Sequence, residues 1–214
     1  MIEYNITWRE VFERWSPSLF LAAGGAWIID TAPYALELVI DVSIPETLNG
    51  ALILVAFLFT LAGALGLYSP LTEEAPISAL AGALLIVFAG LIVLGTFVWV
   101  IGAGLLSLSM PPGALLIAII SLNLLSLLLF GVASVRTETP SRACGILLIA
   151  LAATWTVWVA GIIGVLDPAP GWASAVLGTL FAAITLSIGA VLRTGGVPLH
   201  RHASSRTIYR VKPN

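Results

Sequence analysis

Residues 75–135 read APISALAGALLIVFAGLIVLGTFVWVIGAGLLSLSMPPGALLIAIISLNLLSLLLFGVASV, 61 residues without one charged side chain. About 20 apolar residues span the hydrocarbon core of a bilayer as a helix, so this run is long enough to cross twice. Met110-Pro111-Pro112-Gly113 breaks it near the middle, where a turn is needed. The apolar residues do not alternate with polar ones, as the strands of a membrane barrel would require. The stretch therefore reads as a transmembrane helical hairpin, and it fixes the class of the whole chain.

The composition agrees. Of 214 residues, 59% are hydrophobic and 9% charged, and the mean hydropathy is +1.07. A soluble domain of this size needs far more charge to cover its surface. Further charge-free runs lie between Glu46 and Glu73, between Arg142 and Asp167, and between Asp167 and Arg193. With Pro and Gly as punctuation they give six spans, at about 17–37, 48–68, 78–106, 112–134, 142–166 and 171–192. The fold class expected is all-α and polytopic, with six transmembrane helices. The segment before Leu19 mixes Glu3, Glu10 and Glu13 with Arg9 and Arg14, which is not the start of a removable signal peptide.

The basic residues orient the spans. Arg9 and Arg14 precede the first, Arg136 and Arg142 separate the fourth from the fifth, and Arg193, Arg201, Arg206, Arg210 and Lys212 follow the sixth. These places share one face when the number of spans is even. The positive-inside rule makes that face cytoplasmic, with both termini inside, and places the protein in the cell membrane.

Part of the opening stretch recurs. TFVWVIGAGLLSLSMPPG (96–113) is answered by TVWVAGIIGVLDPAPG (156–171). Trp99 matches Trp158, Gly102 matches Gly161, Pro112-Gly113 matches Pro170-Gly171, Gly131 matches Gly189, and Arg136-Thr137 matches Arg193-Thr194. A fixed period near 58 residues marks one supersecondary unit used more than once. Trp27, Asn49-Gly50 and Gly66 outline a weaker third copy whose inner arginine is missing. The expectation is three tandem hairpins, about 17–68, 78–134 and 142–192, all pointing the same way, unlike inverted repeats.

Two flanking segments complete the organisation. In residues 1–16, Thr7 and Glu10 have capping-box spacing, and Trp8, Val11, Phe12 and Trp15 form an apolar stripe. That stripe suits an amphipathic helix in the cytoplasmic interface. Residues 193–214 form a basic tail that attracts anionic lipid headgroups.

Candidate site residues are few. The first hairpin has a long acidic outer turn, in which Asp30, Tyr34, Glu37 and Asp41 fall on one helical face. Two cues disagree about the depth of Asp30. The repeat sets it near the outer surface, three residues past Trp27. The Ser16-Pro17-Ser18 start signal sets it ~20 Å in, by 1.5 Å per residue. The surface position costs the carboxylate less and is the expectation. Asn123 is the one strongly polar side chain in the fourth span, placed to bridge helices or to line a solute path. Asp30, Glu37 and Asn123 are thus the candidates for a ligand or ion path.

Other chemistry is not signalled. Cys144 is the only cysteine, so no intrachain disulfide forms. His200 and His202 with a distant Cys144 make a poor metal set. No enzyme motif of the common hydrolase, metalloprotease or nucleotide-binding kinds is present. The only lysine is Lys212. No catalytic, cofactor-binding or metal residue is expected, and neither is a nucleic-acid partner. Runs of Gly and Ala at 22–26, 62–66 and 79–83 allow close helix packing or a homo-oligomer seam.

GVLDPAPGWASAVLGTLFAAITLSIGAVL (164–192), with its proline-containing outer turn and returning glycine, resembles the small six-helix acid-resistance membrane proteins of the HdeD type. Small uncharacterised prokaryotic membrane proteins share the same texture. The resemblance implies six helices and a stress-associated role, and brings no catalytic residue. The acidic outer turn and the basic tail depart from it. The function expected is that of a non-enzymatic membrane protein with a scaffold, regulatory or stress-associated role. The alternative is a small-solute channel or transporter using Asp30 and Asn123.

Overall fold

The computed structural model describes residues 8–37, 46–106, 113–162 and 171–194. They form seven helices and no strand: α1 (Trp8–Glu37), α2 (Glu46–Leu65), α3 (Tyr68–Glu74), α4 (Pro76–Leu106), α5 (Gly113–Thr137), α6 (Arg142–Ile162) and α7 (Gly171–Thr194). Five spans, beginning at Leu48, Pro76, Ala114, Arg142 and Ala173, are long and apolar enough to cross a membrane. Helix α1 has the length for a sixth but carries Asp30 within its apolar part.

Helix α1 joins what the sequence separates. The expected interface helix ends at residue 16 and the first span starts at 17, yet α1 runs unbroken through Pro17 and Pro33. Its 30 residues give a rod of ~45 Å, longer than the ~30 Å hydrocarbon core. The surplus is the Trp8–Trp15 segment, whose two tryptophans are exposed. Trp8 stacks on Tyr68 with centroids 6.2 Å apart, and the Arg9 guanidinium lies 5.4 Å from the Tyr68 ring. This contact fixes the start of α1 against α3, a helix in what the sequence reads as a loop. Helix α3 forms because Leu67 and Leu71 are fully buried beneath it.

The turn between α5 and α6 is short. Thr137 Oγ1 donates to the Ala133 carbonyl at 3.0 Å, and Glu138 takes the left-handed conformation (φ 59°) that ends a helix. Ser141 then caps α6, its Oγ accepting the Cys144 N–H at 3.1 Å. Arg136 and Arg142 consequently flank one tight turn.

The six long helices close a ring in the order α1, α2, α4, α5, α6, α7, with α7 returning to pack on α1. A Cβ on Gly66 would touch Phe12 and Ser16, and one on Gly189 would touch Pro17 and Leu21. The end of α2, the end of α7 and the first turns of α1 therefore meet. A cleft of about 20 Å³ there is lined by Glu13, Ser16, Gly66, Pro140 and Leu192. The described arginines, Arg9, Arg14, Arg136, Arg142 and Arg193, thus share one end of the bundle, here called the arginine end.

The middle of the ring is filled by aromatic rings. Trp27 of α1, Phe57 of α2, Trp155 of α6 and Phe181 of α7 are all buried. Their centroids are 4.3 Å apart for Trp155–Phe181, 4.4 Å for Phe57–Trp155 and 4.8 Å for Trp27–Phe181. The outer face is apolar too: Ile77, Leu84, Leu91 and Val98 of α4 lie exposed at seven-residue spacing, where lipid tails would cover them.

Candidate functional site: the polar interior

The residues the repeat aligns do not share one environment. Trp27 is buried in the aromatic layer, Trp158 is half-buried against Trp155, and Trp99 is 40% exposed. The returning glycines divide two to one. Gly131 packs on Gly145 and Ile149 of α6, and Gly189 on Pro17 and Leu21 of α1, each the next helix in the order of the ring. Gly66 instead packs on α1, the helix before α2 in that order.

Contacts between α1 and α7 set the depth of Asp30. Gly24 lies against Thr185 and Leu186, and Thr31 against Gly178. Gly178 is seven residues from the start of α7, so Thr31 and Asp30 lie about 10 Å inside the end remote from the arginines. Ser16, whose hydroxyl donates to the Gly63 carbonyl at 2.7 Å, marks the arginine end. Asp30 is fourteen residues beyond it, about 21 Å. Asp30 is 6% exposed, and its Oδ1 is buried with no hydrogen-bond partner. The surface position expected from the repeat is not found. The side chain shares a helical stripe with Ser16, Ala23 and Trp27, all buried, and that stripe turns it inward.

Asn123 is fully buried, and both atoms of its amide lack a partner. Ser126 donates to the Asn123 backbone carbonyl at 2.7 Å, leaving the side chain alone. The α5–α6 seam passes Gly131 over Gly145 and Ile149. Eight residues back along α5, Asn123 comes level with residues 153–157 of α6, which include Trp155. The Trp155 indole N–H is also buried without a partner. Asp30 therefore lies one turn beyond Trp27 of the aromatic layer, and Asn123 lies level with Trp155. Asp30 and Asn123 share no hydrogen bond.

Glu37 is the last residue of α1; its side chain, with Tyr34, Asp41 and the rest of the acidic turn at 38–45, lies outside the described residues. So do residues 1–7, His200, His202 and the basic tail from residue 195. Among the described residues no three His, Cys, Asp or Glu side chains come together as metal ligands.

Sequence reasoning missed Trp155 and Thr31. Trp158 carries the repeat, yet Trp155, three residues earlier on the same helix face, forms the core. Thr31 follows Asp30 and offers no pattern of its own; only the packing of α7 exposes its role. Comparison of the chain with protein-family models, with curated proteins and with solved structures found no match.

Proposed function

We propose that this chain is a non-enzymatic cell-membrane protein that passes a small ion or polar solute through its interior, by way of Asp30 and Asn123. Six spans in three tandem hairpins surround that path, with both termini cytoplasmic and the basic tail on anionic headgroups. The observation that carries the reading is the burial of the Asp30 carboxyl without a partner. A carboxylate inside the membrane domain costs several kcal/mol or more and is retained where it serves a path or relay. The cytoplasmic assignment of the arginine end rests on the positive-inside rule. The tandem arrangement is supported by the matching seats of Gly131 and Gly189, with Gly66 as the degraded copy.

In this mechanism the aromatic layer is the barrier. Trp27, Phe57, Trp155 and Phe181 block the axis, so a solute that reaches Asp30 advances only when these rings part. Asn123, level with the layer, offers a donor and an acceptor to the moving species.

The second reading is a scaffold, regulatory or stress-associated subunit, the role the HdeD-like resemblance implies. It is favoured by the tightness of the aromatic layer, whose three closest ring pairs lie 4.3–4.8 Å apart. The test is flux in vesicles holding the purified protein, with proton, sodium and potassium gradients imposed in turn. Transport predicts a flux above empty vesicles that falls in Asp30→Asn and Asn123→Ala. Flux equal to that of empty vesicles for every gradient favours the subunit.

A further inference from the structure

The level of the bundle just beyond Trp27 holds two buried oxygens without protein partners, Asp30 Oδ1 and Thr31 Oγ1. Thr31 is the exception among the described helical threonines. Thr60, Thr72, Thr96, Thr137, Thr154, Thr156, Thr179, Thr185 and Thr194 each donate to the carbonyl four residues back. Thr31 does not; its hydroxyl is aimed across the seam at Gly178 of α7, where a Cβ would collide with it. The α1–α7 seam is lined by Gly24, Gly178 and Gly189, and small residues of this kind let two helices approach closely and shift. A glycine seam, a threonine aimed into it and a buried free carboxyl thus coincide at one level.

A metal ion does not suit this place. Hard cations take six or more oxygens, and among the described residues no cluster of ligating side chains exists. A proton needs only the one carboxyl. Among the described side chains the charged groups around it are distant; Glu37, seven residues on along α1, and Glu46, at the start of α2, have side chains outside the described ones. On α7 the only titratable residue is Arg193, fifteen residues from Gly178 and thus about 22 Å away. On α2, residues 48–65 include none. Helix α3 carries Glu73 and Glu74 at the arginine end, as α1 carries Arg9, Glu10, Glu13 and Arg14. Among the described side chains, therefore, no cation balances Asp30.

The aromatic layer lies between Asp30 and the arginine end, while only about 10 Å of helix separates Asp30 from the opposite face. We propose that Asp30 holds an exchangeable proton reached from the face opposite the arginines and closed off from the arginine face by the Trp27–Phe57–Trp155–Phe181 layer. This rests on the ion-path reading for its purpose but not for its chemistry. Thr31, whose hydroxyl both donates and accepts, serves the approach to the carboxyl.

The experiment is labelling by a membrane-permeant carbodiimide, which attacks protonated buried carboxyls, in sealed vesicles of each orientation with the pH clamped independently on the two sides. One adduct is expected, mapped by mass to Asp30, absent in Asp30→Asn and kept in Asp30→Glu. Its yield should fall about tenfold per pH unit past the midpoint when the face opposite the arginines is made alkaline. Alkalinity at the arginine face should leave it unchanged. In Trp155→Ala both faces should control the yield. No adduct at any pH, or equal control by both faces in the unaltered protein, overturns the proposal. Labelling without flux removes the transport reading and leaves the proton site; flux without labelling does the reverse.

Discussion

Thr31 of α1 occupies the space over Gly178 of α7 that a side chain would need. The two helices can run this close only because residue 178 has no Cβ. Gly178→Ala should therefore cost about 1–3 kcal/mol, the usual penalty of overpacking a tight site. Thr31→Ala in the same chain should recover most of the loss, since it removes the hydroxyl and the methyl group that collide. Denaturant titration of the micelle-embedded protein, followed by tryptophan fluorescence, checks both.

Glycines elsewhere should behave differently, according to what surrounds them. A Cβ on Gly145 would come within 2.7 Å of the Gly131 carbonyl oxygen and of the Val135 nitrogen. Backbone cannot swing aside as a side chain can, so Gly145→Ala should be poorly tolerated. Gly90 and Gly95 of α4 have nothing within 4 Å of the added carbon. Alanine at either should be neutral or stabilising by up to about 1 kcal/mol, through helix propensity. The same titration distinguishes the two classes.

Trp155 touches Trp27, Phe57, Trp158 and Phe181. Trp155→Ala should cost about 3–5 kcal/mol, the range for emptying a large aromatic site. Trp155→Phe should cost less than Trp155→Ala, because it keeps a ring in the layer and the indole N–H it removes has no partner. A phenylalanine variant as unstable as the alanine one would mean that the indole nitrogen is bonded after all.

Arg9 lies over both Trp8 and Tyr68, at 5.5 and 5.4 Å. A double-mutant cycle of Arg9→Ala with Tyr68→Phe and Tyr68→Ala should give a coupling of about 0.5–1 kcal/mol that survives in phenylalanine and vanishes in alanine. Resistance of the α1 start to proteolysis, measured alongside, should fall in Arg9→Ala.

The membrane helices were legible because lipid imposes one rule on every span, a long run without charge. The stretch at 75–135 gives α4 and α5 with ends within a few residues. Helix α3 was not legible: Leu67 and Leu71 are two apolar residues in a polar turn, and only the packing above them makes a helix of it. The continuity of α1 through Pro17 was hidden for the reason that proline is both a common first residue of a helix and a tolerated interior one in membranes. For the site, residue type singled out Asp30 and Asn123, because polar groups in apolar helices are conspicuous. Depth was not readable, since it depends on which residues of α7 face α1. Trp158 is more conspicuous than Trp155 because it lies in the recurring phrase, whereas the inward face is decided by the neighbouring helices.

Passage by way of Asp30 requires that residue to lie inside the protein. The direct measurement is the reaction rate of Asp30→Cys, in a Cys144→Ser background, with a membrane-impermeant thiol reagent applied to the face opposite the arginines. Leu36→Cys, at an exposed position six residues further along α1, is the reference. With Asp30 inside the protein, Leu36→Cys reacts readily while Asp30→Cys reacts many times more slowly. Equal rates at the two positions would place residue 30 at the surface and contradict passage by way of Asp30.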